Sequence, residues 1–97
     1  MTSRAITLVK TRAWLAGMQA RHSPHVDPAL LEQLRLDAET LEDPSDLRAL
    51  ILDFRAAYAV VRHDPEQRAQ AGRDLVEGIR HLMLAEVGEN ARRITGE

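Results

Sequence analysis

The chain has 97 residues, 44 % hydrophobic and 29 % charged, with no cysteine and a formal net charge of −2. That length supports one modest core rather than two, and that balance belongs to a folded chain rather than a disordered one. The missing cysteine excludes disulfides, thiolate metal sites and cysteine nucleophiles, and no apolar run approaches the roughly 20 residues that span a bilayer.

The charges are unevenly spread. Residues 1–26 carry Arg4, Lys10, Arg12 and Arg21 and no acid, whereas residues 27–46 set Asp27, Glu32, Asp37, Glu39, Glu42, Asp43 and Asp46 against Arg35 alone. The simplest consequence is that a basic first helix lies beside an acidic second one, each offsetting the other.

A first helix is expected over 3–21, starting at Thr2 or Ser3 and broken by Pro24 in the stretch His22 to Val26. Three Asp-Pro pairs then punctuate the chain: Asp27-Pro28, Asp43-Pro44 and Asp64-Pro65. Each reads as a helix start. The carboxylate caps free N–H groups at the positive end of the helix dipole, and proline at the first helical position gives up a donor that had no partner. These starts predict helices over 28–41, 44–62 and 65–93, with Asp64 and Gln67 spaced for a capping box. Gly72, Gly78 and Gly88 each weaken the last helix by about 1 kcal/mol relative to alanine, which predicts a bend or an early end. The fold class is therefore all-α: a single four-helix, bundle-like domain with short connections, and oligomeric for the reason the faces give.

At about 100° per residue the second helix gathers Leu30, Leu31, Leu34, Ala38 and Leu41 on one side, opposite Glu32, Gln33, Glu39 and Thr40. The fourth gathers Leu75, Val76, Ile79, Leu82, Met83 and Val87, opposite Asp74, Glu77, His81 and Arg92. The first and third helices are different. In the first, Ile6, Val9, Ala13, Ala16 and Ala20 form a stripe of mostly small residues, and Leu8, Trp14, Leu15 and Met18 form a second stripe facing away from it. In the third, Leu47, Leu50, Ile51, Phe54, Ala57, Tyr58 and Val61 form the core stripe, while the far side holds Ala49, Leu52, Ala56, Ala59 and Val60 without a charge. A helix that is apolar all round calls for burial all round, and a second copy of the chain is the simplest cover.

Three chemistries compete for the functional reading. The first is association through Leu8, Trp14, Leu15, Met18, Leu52, Ala56 and Val60, with Trp14 as anchor because tryptophan covers much area with few torsions to fix. It implies a cytoplasmic, non-enzymatic interaction protein (adaptor, inhibitor, antitoxin or small subunit) of bacterial or phage type, using no cofactor, no metal and no membrane. In the second, Arg48, Arg55 and Arg62, seven residues apart, track nucleic-acid phosphates; the competing reading is that they flank a helix pairing, with Asp46 and Asp53 on the other edge. In the third, Glu39 and Glu42 meet Asp74 and Glu77 around Mg²⁺ as in a phosphohydrolase. Glu77 and His81 have a metal-compatible spacing but read better as a solvated pair. No phosphate loop or nucleophile elbow is present.

Overall fold

The computed structural model describes residues 3–42 and 45–95, with side chains for residues 4–42 and 45–85. Four helices follow in chain order: α1 (Ser3–His22), α2 (Pro28–Thr40), α3 (Asp46–Val61) and α4 (Pro65–Thr95). There is no strand among the described residues, and no helix there is long and apolar enough to cross a membrane.

Two of the Asp-Pro pairs act as their chemistry dictates. Asp27 Oδ1 accepts from the Ala29 N–H at 2.9 Å, and Asp64 Oδ1 accepts from Glu66 and Gln67 at 3.0 and 3.2 Å. The capping box at Asp64 takes a variant form. The Gln67 amide donates to Asp64 Oδ2 at 3.2 Å, because the Asp64 N–H already donates to the Val61 carbonyl. The third pair needs correction. The cap of α3 is Ser45, in extended backbone, whose side chain accepts from the Arg48 N–H. The helix thus begins at Asp46, and Asp43 and Pro44 lie outside the described residues. Serine caps as well as aspartate does, and starting there keeps Asp46 in the first turn, where its charge suits the dipole.

The helices pack as a ring in the order α1, α2, α3, α4, each touching the next and α4 touching α1 most extensively. α1 and α3 meet only narrowly across the centre, and among the described residues α2 and α4 make no contact. Gly17 lies against Gly72, while Thr7 and Trp14 share a groove with Met83 and Ile79, so α1 and α4 run antiparallel. Leu50 against Gly78, and Phe54 and Ala57 beside Ala71 and Leu75, set α3 antiparallel to α4 as well. At about 1.5 Å per residue the 31 residues of α4 account for most of the 50 Å long axis.

The core joins Val9, Ala13, Ala16 and Ala20 of α1 to Leu34 and Ala38 of α2, Leu47, Ile51, Phe54 and Tyr58 of α3, and Leu75 and Ile79 of α4. The α1–α2 connection is held by one buried and one exposed hydrogen bond. Tyr58 Oη accepts from the Val26 N–H at 2.9 Å, and Gln19 Oε1 accepts from the Asp27 N–H at 2.9 Å.

Glycine has a different effect from the one its helix propensity predicts. α4 runs unbroken through Gly72, Gly78 and Gly88. A Cβ at Gly72 would collide with the Gly17 carbonyl oxygen and reach 2.9 Å from the Arg21 nitrogen, and one at Gly17 would lie 2.7 Å from Val76 Cγ2. With Ala13, Ala16 and Ala20 alongside, the two backbones approach as closely as side-chain-bearing residues would forbid. Gly78 makes the space in which the tip of Leu50 sits. The cost in propensity is offset by packing.

Candidate partner interface

With its small-residue stripe against α4 and the core, α1 turns its second stripe outward. Leu8 and Leu15 are each 50 % exposed and Trp14 37 %, and Met18 is half-buried. Beside them a groove of about 290 Å³ runs between α1 and α4, lined by Thr7, Lys10, Thr11, Trp14, Ile79 and Met83. Met83 departs from expectation: placed on the core stripe by its phase, it is half exposed. The antiparallel register sets it opposite Thr7 and Thr11, side chains too short to cover it. Leu36 of α2 and Leu84 of α4 are also exposed, and neither stood out from the apolar pattern of its helix.

The far side of α3 is open too. Ala49, Leu52, Ala56, Ala59 and Val60 are all exposed, Val60 at 81 %. Because α1 and α3 occupy diagonal corners of the ring, their outer faces point to opposite sides of the molecule. Leu8, Trp14, Leu15 and Met18 therefore belong to one surface and Leu52, Ala56 and Val60 to another.

The arginine line edges the α3 face on the α2 side. Arg48 Nε donates to the Ala38 carbonyl at 3.2 Å, which also accepts from the Leu41 N–H at the C-terminal end of α2. Arg55 is half-buried; the Glu32 carboxyl on α2 is held below its ordinary range chiefly by the hydrogen bond from Arg35, with the Arg55 charge a minor contribution. Arg62 is exposed at the end of α3, and its carbonyl accepts from Arg68 Nη1 at 3.1 Å. On the other edge Asp46 is exposed in the first turn, and Asp53 borders α4 in a shallow cleft with Ala71 and Asp74. The uncharged strip is thus bounded by arginine on one side and aspartate on the other.

The carboxylate pairs do not converge. Glu39 accepts from Arg35 on α2 at 2.7 Å, Asp74 accepts from Gln70 on α4 at 2.7 Å, and α2 and α4 share no contact among the described residues. Glu77 meets His81 at 3.1 Å on the exposed side of α4, with Arg80 at 3.9 Å. Among the described residues no three metal-ligating side chains cluster.

One polar site was not anticipated. Asp37 is 4 % exposed and takes a two-pronged contact from Arg12, Nε to Oδ2 and Nη2 to Oδ1, each at 2.7 Å. Gln33 adds a third donor at 3.0 Å. The carboxylate raises the Arg12 pKa, chiefly through the hydrogen bond. The sequence does carry a signal: Asp37 lies three residues after Leu34 and four before Leu41, within the apolar stripe, where a carboxylate must have a partner. The fork geometry of arginine suits it, and the pair sets how α1 lies on α2. Among the described residues, this pair is where the basic first helix meets the acidic second one.

Comparison with protein-family models, with curated proteins and with solved structures finds no match for this chain.

Proposed function

We propose that this chain is a non-enzymatic, two-sided helical association protein. One face, the outer side of α3, pairs with a second copy, and the other, the outer side of α1, receives a different protein. The observation that carries the reading is the uncharged strip of Ala49, Leu52, Ala56, Ala59 and Val60, open to solvent and edged by charges of opposite sign. Alanine lets two helices come close, and Leu52 and Val60 supply the area; an aliphatic side chain contributes about 1.5–3 kcal/mol when fully covered, before the costs of association. A two-fold axis running along paired, parallel α3 helices sets the arginine edge of one copy against the aspartate edge of the other. An antiparallel pairing would oppose like edges and is disfavoured. Since the α1 face lies on the opposite side, a dimer of this kind leaves two such faces free, which is the geometry of an adaptor rather than of a single-site inhibitor.

The test is the solution mass by light scattering. The native chain is expected at about twice 10.9 kDa at tens of micromolar, and Leu52→Glu, with unchanged helical circular dichroism, is expected to run as a monomer. A monomeric native chain over that range would reject the α3 pairing.

A further inference from the structure

The α1 face differs from the α3 face in one respect that decides what it can receive. Residues 1–26 contain no acid at all, so everything α1 presents is apolar, neutral polar or basic: Leu8, Thr11, Trp14 and Leu15, with Arg4 and Arg21 exposed at its two ends. Among the described residues, Asp37 is held by Arg12, and Glu77 is held by His81 and Arg80. Pairing this face with itself would bring like charges together, so a second copy is a poor occupant here.

We propose that the groove between α1 and α4 is the docking site for an acidic amphipathic helix of another protein. This rests on the two-sided association reading and names the partner that its second face takes. The groove holds about 290 Å³, at or below the small end of pockets that enclose whole small molecules, about 300–1,000 Å³. It is instead suited to a few aliphatic side chains inserted from one face of a helix. Trp14 forms one wall and Met83 the other; tryptophan supplies a rigid anchor, and methionine adapts to whatever side chains enter. Acidic residues flanking the partner's apolar stripe would meet Arg4 and Arg21. A basic helix bearing tryptophan also resembles a membrane-surface helix. The concave arrangement argues for a rod laid into it, because Trp14 lines the groove and is only 37 % exposed.

Trp14 is the only tryptophan in the chain, so its emission reports directly on the groove. The probe is a designed tryptophan-free peptide of about 18 residues, long enough to form a helix, with leucine on one face and glutamate on the other. A twin carries lysine in place of glutamate, and vesicles of phosphatidylserine and phosphatidylcholine form the third arm. The acidic peptide is expected to shift Trp14 emission to the blue saturably and to bind at least ten-fold more weakly to Leu15→Glu, with affinity falling as salt rises. Leu15 is half exposed, so this variant leaves the fold intact; Trp14→Ala, followed by anisotropy of labelled peptide, is the second check. No emission shift, or equal binding of the lysine twin, overturns the proposal, and a shift with vesicles alone assigns the face to anionic lipid instead. Leu52→Glu is expected to bind the acidic peptide as the native chain does. If the peptide fails while Leu52→Glu still halves the mass, the groove assignment falls and the α3 pairing stands.

Discussion

Replacing Gly72 by alanine separates two forces that usually act together. In an open helix the change stabilises by about 1 kcal/mol, because alanine loses less backbone freedom. Here the new Cβ would run into the Gly17 carbonyl oxygen, with the Arg21 nitrogen at 2.9 Å and Ala20 Cβ at 3.1 Å. Two of these three are backbone atoms, which cannot rotate aside. Relief requires α1 and α4 to separate along their most extensive contact, loosening Ala13, Ala16 and Ala20. Overpacking of a core costs about 1–3 kcal/mol when side chains can adjust, and occasionally more. Placing this site near 3 and subtracting the propensity gain leaves a net loss of about 2 kcal/mol. For a domain of this size that lowers the melting temperature by about 8–16 °C. Gly78→Ala is the control, since its Cβ meets only the flexible end of Leu50, and it is expected to stay within about 1 kcal/mol of native. Both melts must be run at one protein concentration, because any dimerisation adds to apparent stability. Gly72→Ala melting at or above the native temperature would refute the reading of α1 and α4 as helices in backbone contact.

The Arg12–Asp37 pair and the caps give two further tests. Arg12→Ala leaves a buried carboxylate with only Gln33, and is expected to cost about 2 kcal/mol, discounted from the 3–5 of fully buried pairs because 32 % of the Arg12 side chain remains in water. The double variant Arg12→Met with Asp37→Leu is expected to recover most of that loss in urea unfolding; no recovery would mean that the ion pair itself, rather than the abandoned charge, sets stability. Among the caps, Asp27→Ala, Ser45→Ala and Asp64→Ala should each cost about 1 kcal/mol. No loss at Ser45 would contradict the observed start of α3.

What could be read in advance, and what could not, divides along physical lines. The four helices were legible because Asp-Pro and Pro24 act locally, through dihedral restriction and capping, and need no knowledge of neighbours. Local signals also mislead locally: Asp43-Pro44 has the chemistry of a start, but Ser45 two residues later caps as well, and nothing in the pattern ranks one above the other. Gly72 and Gly78 read as weak points because propensity describes a lone helix, whereas their contribution comes from a second helix reaching the backbone. Phase placed Met83 inward, but whether a phase is covered depends on what the facing helix presents at that level, here Thr7 and Thr11. The apolar residues of α1 and α3 were visible as stripes. That they face opposite ways was not, because the ring order of the helices is a property of the assembled core.

That opposition underlies the whole functional proposal, and sedimentation equilibrium of the native chain with the acidic peptide tests it most directly. If the α3 faces pair and the α1 faces bind, saturating peptide adds two peptides to an intact dimer, and the mass rises above twice 10.9 kDa. If peptide binding instead splits the dimer into one-to-one complexes, the two surfaces compete and the two-sided account is wrong.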